Sequence, residues 1–155
     1  MSAGTYSQIY IHVIFAVKGR KSLIHENWEI DLYKYITGII KEKGQILISI
    51  NGMPDHIHIL IAIKPACRVA DLVREIKKSS NKWINEHKFT VHKFSWQEGY
   101  GVFSHSHSAI PRVKSYIDNQ KSHHAKKNFK NEYRDLLDRF DIDYREEYLF
   151  EWVQP

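Results

Sequence analysis

The sequence predicts an α+β fold, a ferredoxin-like (RRM-like) antiparallel sheet with helices on one face plus a C-terminal helix. Three observations lead there. Tyr6 to Val17 alternates apolar and polar positions, two β-branched-rich runs follow each other across a short Asn-Gly loop, and two helical stretches interleave with them in the order β-α-β-β-α.

In the first segment Ile9, Ile11, Val13, Phe15 and Val17 fall on one face and Tyr10 and His12 on the other, the signature of a strand with one buried side. From Trp28 onward, Trp28, Leu32, Tyr35, Ile36, Ile39 and Ile40 follow helical spacing, and Gly44 stands where a left-handed C-cap is expected. Gln45 to Ile50 and His56 to Ile63 then form a hairpin, with Asn51-Gly52 as the turn signal in the connecting loop. Val69, Leu72, Val73, Ile76, Trp83 and Ile84 mark a second helix whose outer face carries Arg68, Arg74, Lys77, Lys78 and Lys82. One or two short strands are expected in Phe94 to Phe103. Ser104-His105-Ser106-His107-Ser108 reads as a loop, because its histidines do not alternate with apolar residues. Ser108 is then the N-cap of a helix running to about Ala125, with Pro111 in its first turn. A last helix spans Asn131 to Phe140.

With 155 residues and 43% hydrophobic content, the chain suits one domain over residues 1–155 with a real core. Its apolar runs are strand-sized, well short of the roughly 20 residues of a membrane helix. The first ten residues lack the pattern of a secretory leader, so a cytoplasmic protein is expected. The single Cys67 has no cysteine to pair with and is given no role. A net charge of +5 with histidines neutral favours a polyanionic partner such as nucleic acid, since each cation docked on phosphate releases counterions.

Two elements carry candidate chemistry. In Pro54-Asp55-His56-Ile57-His58-Ile59-Leu60 the histidines are two apart on a strand, so both imidazoles leave the same face, an arrangement that suits a divalent metal or a bound anion. Tyr116 and Gln120 are four apart on a predicted helix and share a face. A tyrosine hydroxyl becomes a useful nucleophile only beside a cation or base. Asp55 could orient one of the imidazoles, or be a turn residue. His124, four residues beyond Gln120, is a further candidate for the same surface, and His12 reads as structural rather than as a ligand.

Together these residues resemble the single-tyrosine HUH transposases of bacterial insertion sequences, the IS200-like or TnpA type. The resemblance covers Val13-Ile14-Phe15-Ala16-Val17-Lys18, the Pro54–Leu60 core, Trp96-Gln97-Glu98-Gly99-Tyr100-Gly101-Val102-Phe103-Ser104, and Tyr116-x-x-x-Gln120. It implies that His56, His58 and Gln120 bind Mg²⁺ or Mn²⁺, of which imidazole ligands suit Mn²⁺ better. It implies that Tyr116 attacks the scissile phosphate of single-stranded DNA, leaving a 5′-phosphotyrosine and a free 3′-hydroxyl. It further implies recognition of DNA hairpins and a homodimer in which the tyrosine helix of one subunit can complete the site of the other. Arg74, Lys77, Lys78, Lys82, Lys114 and Lys121 are the candidate DNA-contacting cations. Two other classes fit the residues alone: a hydrolytic phosphoesterase in which Tyr116 is inert, and a non-catalytic single-strand-binding module, although no aromatic-rich sheet motif supports the latter.

Overall fold

A computed structural model describes residues 4–123, 128–145 and 149. Its elements are β1 (Ile9–Ala16), α1 (Glu26–Glu42), β2 (Ile46–Met53), β3 (His56–Ile63), α2 (Val69–Glu86), β4 (Gly101–His105), α3 (Ile110–Asp118), α4 (Gln120–His123) and α5 (Phe129–Arg139). The four strands form one sheet in the order β2-β3-β1-β4, every neighbouring pair antiparallel. No described helix is long and apolar enough to cross a membrane.

The period-two pattern of β1 and β3 divides the molecule into two layers. Ile11, Val13 and Phe15 of β1 and Ile57, Ile59 and Ile61 of β3 pack against Leu32, Ile36, Leu72, Val73 and Ile76 of α1 and α2, forming the main core. On the reverse face, Leu60 meets Val113 and Ile117 of α3. Ile14, Ala16 and Phe103 meet Phe129, Tyr133, Leu136 and Leu137 of α5 there. The expected pair of helices thus covers one face, and the C-terminal helices roof the other.

Local chemistry departs from expectation at several points. Gly44 does adopt the left-handed backbone (φ +81°) and ends α1. The Asn-Gly pair, however, is not the hairpin turn. β2 continues through it, with Gly52 opposite Ile57 and Met53 opposite His56, so the chain reverses at Pro54-Asp55. Asn51 has a tertiary role instead: its Nδ2 donates to the carbonyls of Ile117 and Asp118 at 3.0 and 3.1 Å, satisfying the C-terminal end of α3. Asn119 Nδ2 adds a bond to Ser115 O at 2.8 Å. With those carbonyls occupied, the helix expected to run to residue 125 breaks at Asn119 (φ −102°, ψ 21°) and resumes as α4.

Ser108 is not an N-cap. A single 3-10 turn, His107–Ala109, leads into α3, whose cap residue is Ala109 and makes no side-chain cap bond. Ser104 and His105, expected in a loop, belong to β4 and pair with Ile11 and Tyr10. Trp96 touches the sheet through an isolated bridge to Val17. The last helix begins at Phe129, capped by Asn128, whose side chain accepts from Asn131 N at 2.9 Å.

Gly52 is required by close approach rather than by turn geometry. A Cβ at that position would lie 2.3 Å from the carbonyl oxygen of His56. Gly52→Ala is therefore expected to destabilise the protein by about 1–3 kcal/mol, read as a lower urea midpoint at unchanged slope. An unchanged midpoint would refute this account of the β2–β3 approach.

Candidate metal and nucleophile site

The reverse face of β3 presents His56 and His58, both fully buried. Each imidazole is held from behind through Nδ1. His56 Nδ1 lies 2.7 Å from Asp55 Oδ1, and His58 Nδ1 lies 2.8 Å from Nε2 of His12. Such partners fix ring orientation and tautomer, leaving each Nε2 to face the site. His12 reaches His58 because β1 pairs His12 with Leu60 and Ile14 with His58, so the two histidines are diagonal neighbours on one face. Phe129 stacks on the His56 ring with centroids 3.8 Å apart and closes the site from above.

Both Nε2 atoms converge on a residue that the sequence did not single out. Glu132 Oε1 lies 3.4 Å from His56 Nε2 and 3.3 Å from His58 Nε2, and Glu132 is 2% exposed. Its other oxygen, Oε2, accepts the Tyr116 hydroxyl and, at 3.2 Å, the Gln120 amide Nε2. Tyr116 also lies edge-on to His58, with ring centroids 5.7 Å apart at 87°. Tyr116, Gln120, Glu132 and the two histidines thus meet within one chain. Glu132 occupies the first turn of α5, on the same side as Phe129, Tyr133 and Leu136. A carboxylate inside the apolar stripe of an amphipathic helix was the available signal.

The electrostatics follow from this packing. Burial lowers the affinity of His12 for a proton, and His58 and His105 lower it further, so His12 sits well below its usual pKa and serves as a neutral partner. Burial also opposes protonation of His56, but its hydrogen bonds to Asp55 and Glu132, with their negative charge, outweigh it and raise its pKa. Burial, then the charge and hydrogen bond of Glu132, push Tyr116 far above the ordinary phenol range, against smaller opposing effects of Gln120 and Arg139. The hydroxyl is held protonated while Glu132 is its acceptor.

The cluster has the donor set of a metal site. His56, His58 and Glu132 each offer one ligand atom, all within 4.8 Å of one another. Gln120 Oε1 adds a buried carbonyl oxygen with no hydrogen-bond partner among the described residues. Two imidazole nitrogens with a carboxylate and an amide oxygen suit a borderline-to-hard divalent cation.

The candidate DNA-contacting cations are placed less uniformly. Arg74, Lys77, Lys78 and Lys82 are on α2, the layer across the sheet from Tyr116. Arg74 pairs with Asp71 at 2.6 Å and Lys82 with Glu86 at 3.7 Å. Lys77 donates to the carbonyls of Gln97 and Gly99 at 2.6 and 3.0 Å, tying down that loop, and burial lowers its pKa. Lys78 is exposed. On the reverse face, Lys114 pairs with Asp118 at 2.6 Å. Lys121 donates to Gly52 O at 2.6 Å and pairs with Glu29 at 3.2 Å. His124 lies outside the described residues.

Replacing Glu132 by alanine would remove the acceptor shared by Tyr116 and Gln120 and leave buried polar atoms unsatisfied. A loss of about 1–3 kcal/mol in urea unfolding is expected for Glu132→Ala. Full stability in this variant would mean that α5 does not dock through this carboxylate.

Comparison with known proteins gives a consistent set of matches. Residues 5–120 match the family described as "Transposase IS200 like". The ISDra2 transposase TnpA of Deinococcus radiodurans is 24% identical over 122 residues, covering 76% of this chain and 87% of that protein. Among solved structures, a candidate transposase from Deinococcus radiodurans R1 superposes with a TM-score of 0.62 at 24% identity, covering 77% of this chain and 96% of the other. A REP-associated tyrosine transposase bound to a REP hairpin superposes with a TM-score of 0.60 at 15% identity, covering 80% and 74%. At these identities the structural matches speak for the fold, an antiparallel sheet with helices shared with these neighbours.

Proposed function

We propose that this chain, which belongs to the family of IS200-like transposases, moves mobile DNA by cutting and rejoining a single strand with Tyr116 as nucleophile. The observation that carries this reading is the convergence of the Tyr116 hydroxyl and both histidine Nε2 atoms on the two oxygens of one buried carboxylate. A nucleophile and a set of metal ligands are thereby held around one small volume, the geometry that a phosphoryl-transfer site needs.

In this reading His56, His58, Glu132 and Gln120 hold a divalent cation, Mg²⁺ or Mn²⁺, and the buried Gln120 Oε1 is the observation that fits it. When bound, such an ion supplies electrophilic polarisation of the scissile phosphate. The chain's own residues do the rest. Asp55 and His12 hold the two imidazoles in the tautomer that presents Nε2. Tyr116 Oη forms a bond to phosphorus as the bond from phosphorus to the 3′-oxygen breaks. The phenol proton passes to Glu132 Oε2, its hydrogen-bond acceptor, and the departing 3′-oxygen takes a proton from solvent water to leave a 3′-hydroxyl. One phosphate ester replaces another, so attack by a 3′-hydroxyl reverses the step and reseals the strand.

The REP-hairpin complex of the structural neighbour supports a DNA hairpin as the recognised element here. The resemblance also supports a homodimer. Because Tyr116 lies against His58 and shares the Glu132 carboxylate with both histidines of its own chain, the arrangement favoured here is one in which each subunit carries a whole site.

Single-stranded DNA incubated with the protein and Mn²⁺ should yield a denaturant-resistant protein–DNA adduct, lost completely in Tyr116→Phe. Cleavage that survives this substitution would instead assign the chain to hydrolytic phosphoesterases. Mixing His56→Ala chains with Tyr116→Phe chains should leave cleavage absent. Activity recovered on mixing would show that the tyrosine and the histidines act across the dimer.

A further inference from the structure

We propose that the cavity of about 500 Å³ enclosed by β4, α3 and α5 is the seat of the nucleotide beside the bond that is cut, with Arg112 and Arg139 holding its backbone phosphates. This inference rests on the transposase reading above and names the part of the strand that the site receives. Its volume lies within the roughly 300–1,000 Å³ of ordinary small-ligand sites.

Access is the first observation. His56, His58 and Gln120 are fully buried and Glu132 nearly so, while Tyr116 is only partly covered. A phosphate must therefore approach from the side on which Tyr116 is open. The cavity has Tyr116, Glu132 and His12 in its wall, so it reaches the nucleophile and the proposed metal ligands together.

Charge is the second. Arg112 and Arg139 line the same cavity, are exposed, and make no ion pair among the described residues. The other cations near α3 are engaged: Lys114 with Asp118, and Lys121 with Glu29 and Gly52. Asp135 and Glu132 also line the cavity, so its charge is divided, with guanidinium groups available to phosphate oxygens near Tyr116. Burial, followed by the fields of Arg112 and Arg139, lowers the pKa of His105, which makes it a neutral group in the wall.

Shape and polarity complete the case. Phe140 lines the cavity, with its ring edge-on to His105 at 5.6 Å, and offers an aromatic surface for an unstacked base. His105 Nε2 is buried without a hydrogen-bond partner among the described residues, a polar atom that a base edge or a bridging water would satisfy. A base stacked and paired within a duplex is not free to enter such a recess, so the occupant is a nucleotide of single-stranded DNA.

The test uses fluorescein-labelled hexathymidylate in EDTA, with anisotropy measured across a salt series and the histidine ring resonances followed by NMR. Saturating hexamer should shift the His105 signals. Arg112→Ala and Arg139→Ala should each weaken binding roughly tenfold and reduce the log–log salt slope by about 0.7 per lost phosphate contact. Arg112→Lys and Arg139→Lys should recover part of the affinity, and unchanged melting temperatures would show that these exposed substitutions do not act through folding. Wild-type affinity in both alanine variants, or His105 signals that stay in place at saturation, would overturn the proposal. The adduct assay separates the two readings. Hexamer seated at His105 in a protein that never forms a Tyr116 adduct refutes the tyrosine mechanism and leaves the subsite standing. An adduct formed by a protein whose arginine variants bind hexamer normally refutes the subsite alone.

Discussion

A carboxylate that is almost wholly removed from water must find compensation for each of its oxygens, and Glu132 finds it by joining the two halves of the site. Oε1 faces the histidines of β3, and Oε2 faces Tyr116 and Gln120 from α3 and α4. Three segments distant in sequence are thereby held to one point. The apolar side of α5 makes this possible, since Phe129, Tyr133, Leu136 and Leu137 dock on Ile14, Ala16 and Phe103 and carry the carboxylate down with them. Packing supplies the position, and the polar contacts supply the reason that only one position is satisfactory.

The sheet makes this arrangement compatible with stability by separating the two tasks. The face covered by α1 and α2 is an apolar interior in which Ile57, Ile59 and Ile61 are the contribution of β3. The alternate residues of the same strand, His56 and His58, are then free to face the other way. β1 follows the same logic, with Ile11, Val13 and Phe15 in the core and His12 behind His58. A shift of either strand by one residue would bury the imidazoles in the apolar layer and expose the isoleucines, so the register that builds the core also fixes the site.

Much of this was legible in the sequence because it depends on periodicity. Strands β1 to β3, both major helices, the shared face of His56 and His58, and the β-α-β-β-α order all follow from local patterns. What escaped depends on partners that no local pattern contains. Asn51-Gly52 has the chemistry of a hairpin turn, yet Gly52 sits inside β2 because the backbone of His56 passes too close for a side chain. The break at Asn119 reflects Asn51 reaching across from β2 to the end of α3. Lys77 looks like one more exposed cation of α2, but its ammonium is bound to two loop carbonyls. Glu132 lies 12 residues beyond Gln120, where the span matched to the family ends, and its only trace in the sequence is an acidic residue in an apolar stripe.

Burial of this site would serve the transesterification proposed above. A phosphotyrosine ester conserves the energy of the broken strand until a nucleophile attacks it, and water activated within the site would compete with the 3′-hydroxyl for that step. Here Phe129 lies flat on His56, α5 roofs the carboxylate, and neither histidine is exposed. Tyr116, by contrast, is only partly covered and borders the cavity beside β4, so the hydroxyl stands at the boundary between the dry cluster and the side from which a strand can arrive. The same carboxylate that closes the inner side of the site also holds the tyrosine hydroxyl against it. In the proposed reaction, exclusion of water and placement of Tyr116 are two results of docking one helix.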